Sequence, residues 1–157
     1  MKTSIPNIAE APKMYETEND ISLERRSELN ALMNQRLASA VDLQTQMKQA
    51  HWNVKGPNFI GLHELFDKVD EAVESYVDMI AERIVQLGGI AEGTARVAAS
   101  RSQLEEYPLA IADGAAHVEA VAGRCPPSDT KSATRSMKPA NWMMPARRIC
   151  SQKSRAE

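Results

Sequence analysis

The chain is short of the residues that organise cross-linked or sheet-based proteins. It has two cysteines in 157 residues, Cys125 and Cys150, both in the last quarter and without metal-ligand spacing. Neither reads as half of a disulfide, and no redox compartment follows from them. Aromatic residues make up only 4% of the chain. That scarcity favours helices built from Leu, Ala, Val, Ile and Met over an aromatic-rich sandwich. No apolar run approaches the ~18 residues of a membrane span. The first residues, MKTSIPNIAEAPKMYETEND, lack the apolar stretch of a signal peptide. The expected location is therefore cytoplasmic, with no membrane partner. Strand alternation and an internal repeat are also missing.

Glycine and proline are absent from Ser22 to Asn53. In that stretch Leu29, Leu32, Met33, Leu37, Ala40, Val41, Met47 and Ala50 recur at three- and four-residue spacing. The pattern predicts an amphipathic helix of over ~30 residues, capped by Asp20 or Ser22. VKGPN at 54–58 predicts a turn. A second long helix is expected from Phe59 to Leu87, with a core stripe of Leu62, Phe66, Val69, Val73, Tyr76, Ile80, Ile84 and Leu87. Gly88 and Gly89 terminate it, as a residue needing positive φ would. Residues 90–108 form a long connection with a short helix near Thr94–Ala99. After Tyr107-Pro108 a third helix carries Ala112, Ala115, Val118 and Val121, with Asp113 a candidate cap. Two long helices, a turn and a third helix require a fourth to close a bundle.

The remaining sequence does not supply it. All seven glycines lie at or before Gly123, and half of the prolines lie after it. From Arg124 onward the chain carries roughly six excess positive charges, whereas the part before it is acidic. A basic, unstructured tail is one reading. A lost base is the other, and the genetic code tests it. Read one nucleotide earlier, the overlap of Met137 and Lys138 forces Glu, and the overlaps from Asn141 to Pro145 force Leu-Asp-Asp-Ala. The remaining codons permit an amphipathic helix, a polar turn and the start of another helix. The expectation is a frameshift near the Gly123 codon, which removes the end of helix three and all of helix four.

The three histidines are His51, His63 and His117. His51 ends the first helix. His63 opens the second, with Asp67 at i+4, and Asp78 and Glu82 form a further i, i+4 pair. At ~100° per residue, His63, Asp67, Asp78 and Glu82 share an arc of about 100°. A stripe of His and carboxylates suits a metal such as Fe or Mn. Asp67 and Asp78 are ~16 Å apart along the axis, too far for one ion. Yet His63 and Glu82 share a midpoint with Asp67 and Asp78, between Ala72 and Val73. Two copies packed antiparallel about a two-fold axis there would set His63 and Asp67 of one subunit beside the Asp78 and Glu82 positions of the other. The expected metal sites therefore lie between subunits. The paired Glu-x-x-His pattern of a one-chain di-iron bundle is absent.

Blander readings exist for each residue. A helical His–Asp pair at i, i+4 is ordinarily a surface hydrogen bond. Asp78 and Glu82 can be solvated carboxylates, and His51 a plain helix-end residue. Trp52 is more commonly core than chemistry. His117 reads as structural.

KQAHWNVKGPNFIGLHELFD followed by AERIVQLGG resembles the Dps family, the DNA-protecting mini-ferritins of starved bacteria, over about residues 20–121. The resemblance implies an all-α, ferritin-like four-helix bundle assembled as dimers within a dodecamer. It implies a ferroxidase that oxidises Fe(II), preferably with hydrogen peroxide, and stores ferric iron. Carried over by motif, His51, His63 and Asp67 bind iron from one subunit, and Asp78 and Glu82 from its neighbour, as mono-iron or di-iron sites. Trp52 would sit beside the site and intercept radicals. The implied organisation is a polar arm over 1–20, an incomplete ferritin-like domain over 21–123 and an out-of-frame tail over 124–157.

DNA binding, the other family trait, has weak support. The arm sets Lys2 and Lys13 against Glu10, Glu16, Glu18 and Asp20, and phosphate contacts need accumulated positive charge. Three readings stand open: an iron-oxidising store, a DNA-condensing nucleoid protein, and an inactive truncated product with an uncovered core.

Overall fold

The structure, a computed structural model, describes residues 13–122. The first part of the arm lies outside the described residues, as do the expected frameshifted tail and the fourth bundle helix it disrupts. Among the described residues there are four helices: α1 Leu23–Asn53, α2 Phe59–Gln86, α3 Ala95–Arg101 and α4 Gly114–Ala122.

Helix α1 runs without a break because nothing in it lacks a backbone donor or favours positive φ. Of the two candidate caps, Ser22 is used: its Oγ accepts from the Arg25 N–H at 3.4 Å. Glu24 in the first turn complements the helix dipole. The turn at 54–58 brings α2 back along α1, and α3 also packs on α1. Helix α2 ends as expected. Gly88 has φ +82°, and a Cβ there would stand 2.4 Å from the Tyr15 carbonyl oxygen. Only glycine meets both demands. Helix α3 starts just after Thr94 and extends two residues past Ala99.

Helix α4 is capped by Asp113, whose Oδ2 accepts from the Ala115 N–H at 2.9 Å and the Ala116 N–H at 3.3 Å. Ala112, expected in this helix, precedes it. Its carbonyl instead accepts from the Lys55 N–H at 2.9 Å, pinning the interhelix turn to the start of α4. Gly114 allows a close approach, since a Cβ there would lie 2.5 Å from Leu62 Cδ1.

The core sits where the end of α1, the start of α2 and α4 meet. Met47, Ala50, Val54, Phe66, Tyr107 and Val121 are buried there, with Leu43, Leu62, Val69 and Val118 against them. Periodicity anticipates much of this set. It misjudges Leu32, which is 45% exposed, and passes over Arg26, Asn30 and Gln46, which are buried. The physical reason is hydrogen bonding within the fold. Arg26 donates through Nη1 to the carbonyls of Leu87 (3.1 Å) and Tyr15 (3.3 Å) and through Nε to that of Ile21 (3.2 Å). One guanidinium thus satisfies a carbonyl at the end of α2 and ties residues 15–21 to it. Among the described residues no helix is long and apolar enough to cross a membrane.

Candidate metal centre

His51 occupies the last turn of α1, and His63 the second turn of α2. The tight 54–58 turn sets them face to face, with ring centroids 3.6 Å apart and planes inclined by 23°. Each ring is held by the other residue's backbone: His51 Nδ1 lies 2.9 Å from the His63 carbonyl oxygen, and His63 Nδ1 lies 2.8 Å from that of His51. A carbonyl only accepts, so both Nδ1 atoms carry the proton. In the neutral rings both Nε2 atoms then keep their lone pairs, which is the state a metal-binding imidazole needs. Phe59 packs against the His63 ring, with centroids 5.0 Å apart.

Asp67, one turn beyond His63, brings a carboxylate to the same corner. Its Oδ1 is 3.8 Å from His51 Nδ1, too long for a hydrogen bond to a nitrogen already engaged. The same oxygen accepts from Lys48 Nζ at 2.6 Å, and Asp70 Oδ2 takes that ammonium at 3.0 Å. The Lys48 hydrogen bond holds the Asp67 carboxyl below its ordinary range, and both carboxylates hold Lys48 above its own. Asp67 is thus an anion throughout the neutral range, ready to meet a cation.

The structure brings His51, His63 and Asp67 together at one corner. Asp78 and Glu82 lie further along α2 and are exposed, without a hydrogen bond or ion pair among the described residues. No three His, Cys, Asp or Glu side chains converge on a metal position among the described residues of one chain. Trp52 follows His51 directly and is 69% exposed, so it is not core. His117 is fully buried, and its Nδ1 meets the Tyr107 hydroxyl at 2.7 Å.

Sequence reasoning missed Lys48 and Asp70. Asp70 has a legible signal: it falls four residues after Phe66 and three before Val73, on the buried stripe of α2. A carboxylate there needs a cation, and Lys48 is one turn before His51 on the facing helix.

A family model for the ferritin-like domain matches residues 30–122. The DNA protection during starvation protein of Agrobacterium fabrum is 41% identical over 112 residues, covering 71% of this chain and 69% of that protein. The protein of the same name from Mycolicibacterium smegmatis is 36% identical over 101 residues, covering 64% and 55%. Among solved structures, DpsA14 from Streptomyces coelicolor superposes with a TM-score of 0.68 at 33% identity, covering 73% of this chain and 68% of that one. The family model, the curated relatives and the solved structure agree, and the chain belongs to the Dps family of ferritin-like proteins.

Proposed function

We propose that the protein is a ferroxidase and iron store whose sites form between two subunits. The observation that carries this reading is the mutual hold of His51 and His63, which spends both Nδ1 atoms on backbone carbonyls and leaves the Nε2 atoms to face a ligand beside the ionised Asp67. Nitrogen and carboxylate donors together suit iron, and carboxylates favour Fe(III) over Fe(II). Few nitrogen ligands leave open positions for an oxidant.

The second half of each site is Asp78 and Glu82 of the facing subunit. Their exposed arc on α2 also carries the exposed apolar side chains Ile60 (64%) and Val85 (59%). Carboxylates flanked by apolar groups suit a self-complementary contact between two copies of α2. In the reaction, two Fe(II) each give one electron to hydrogen peroxide. With two protons, the products are two Fe(III) and two waters, and no hydroxyl radical is released. Such chemistry protects DNA without touching it, which fits the name of the relatives. Trp52, which is exposed and follows His51, would intercept any radical that escapes. A dodecameric shell and ferric storage inside it belong to the same reading, as does a cytoplasmic or nucleoid setting. DNA condensation is the weaker reading: Lys13 is the arm cation among the described residues, against Glu16, Glu18 and Asp20.

The test is complementation. His63→Ala and Asp78→Ala should each abolish fast peroxide-driven Fe(II) oxidation while leaving folding intact. Mixed dimers of the two variants contain one doubly damaged site and one intact site. Random mixing should restore about a quarter of the unmodified activity. No recovery on mixing sinks the intersubunit site, and unchanged kinetics of Asp78→Ala removes that residue from it.

A further inference from the structure

Lys48 falls outside the metal-ligand pattern, yet its ammonium sits on the carboxylate assigned to the metal. Nζ lies 2.6 Å from Asp67 Oδ1 and 3.0 Å from Asp70 Oδ2. The two carboxylates differ in their access to water. The Asp67 side chain is 41% exposed, whereas that of Asp70 is 6% exposed. The second oxygen of Asp70, Oδ1, is buried with no hydrogen-bond partner among the described residues. A carboxylate removed from water is costly unless a cation compensates it. Asp70 therefore holds Lys48 firmly. Asp67 makes the shorter contact, but water can reach it and take the place of the ammonium.

We propose that Lys48, anchored by the buried Asp70, is an internal cation that occupies Asp67 in the metal-free chain, so that Fe(II) binds by displacing it from that carboxylate. This rests on the assignment of His51, His63 and Asp67 as iron ligands. Displacement requires little movement, because Asp70 keeps the ammonium while Asp67 turns to the metal. The retained positive charge then stands close to the bound iron and opposes it. Lys48 thereby sets the iron concentration at which the site fills, and Asp70 sets how tightly Lys48 competes.

The two residues have opposite expected effects, and that makes the proposal testable. Co(II), which stays divalent during the measurement, is titrated calorimetrically into the full 157-residue chain and its variants. Lys48→Met with Asp70→Asn removes the competitor without stranding a buried charge. This double variant should bind Co(II) about fivefold tighter, the scale of one partly exposed ion pair. Asp70→Asn alone leaves Lys48 with only Asp67, so Co(II) should bind about fivefold weaker. Circular dichroism reports whether each variant is folded. Should the double variant fail to fold, the weakening by Asp70→Asn alone carries the test. Unchanged Co(II) affinity in the folded variants overturns the proposal and leaves the triad a structural ion pair. Asp67→Asn separates the two levels of argument: if it binds Co(II) as the unmodified chain does, the ligand assignment itself fails, and the role of Lys48 falls with it.

Discussion

The corner formed by His51, His63 and Asp67 and the corner formed by His117 and Tyr107 use the same imidazole in opposite surroundings. At the first, the rings stack at the mouth of a turn, each Nδ1–H bound to a backbone carbonyl. Carboxylates and an ammonium lie alongside. At the second, His117 is 1% exposed, packed against Phe66 and hydrogen-bonded to Tyr107. Burial pulls its pKa down, with partial opposition from the Asn53 backbone and Asp113. Its Nε2 is buried without completing a hydrogen bond among the described residues. The difference teaches what makes a histidine available for chemistry. Access to solvent and nearby carboxylates are found at the first corner. The second offers core packing and a hydrogen bond to Tyr107.

The sharpest way to break this comparison is to damage each corner and look for the effect at the other. The largest expected effect is on activity: Asp67→Asn should lower the initial rate of Fe(II) oxidation by about a hundredfold or more. Its melting temperature should change little, because Asp67 is partly exposed. A matching loss of stability would show that the first corner is structural too.

His117→Ala should do the reverse. It removes a buried ring and the Tyr107 hydrogen bond and should cost about 2–4 kcal/mol of stability by denaturant titration. Co(II) affinity should be unchanged, and a large loss of affinity would join the two corners into one unit. Asp113→Ala removes the cap of the helix that carries His117 and should cost about 1 kcal/mol, again without effect on Co(II) binding.

The smallest effect is in pH dependence. His117 has a folded pKa below its ordinary value of 6.5, so the unfolded chain binds the extra proton first. Its contribution to stability is complete above that value and is lost as pH falls from 6.5 toward the folded pKa. The fall should vanish in His117→Gln. A stability loss on raising pH through this window would contradict the assignment of His117 as a buried, neutral ring.

Much of the site is legible in the sequence alone. The twelve-residue step from His51 to His63 spans a turn marked by Gly56 and Pro57, so a helix end and a helix start already imply their proximity. Asp67 follows from the helical period. The end of α2 and the start of α4 are legible because Gly88 and Asp113 act within one turn of themselves. The partners of the buried polar residues are not. Arg26, Asn30, Gln46 and Asp70 lie on helix faces whose partners are distant in sequence: Arg26 reaches Leu87, and Asp70 reaches Lys48. No local pattern encodes a hydrogen bond across two helices.

By itself, the sequence determined the helix class, the turn positions and which side chains recur on one arc of α2. Those properties follow from short-range sterics and from periods of a few residues. Tertiary structure decided the tautomers of His51 and His63, the burial that separates His117 from them and the claim of Lys48 on Asp67. Each depends on which atoms of different helices come within ~3 Å, and hydrogen bonds and ion pairs weaken steeply beyond such distances. Spacing along one helix can choose a face, but only the packing of two helices can choose a partner.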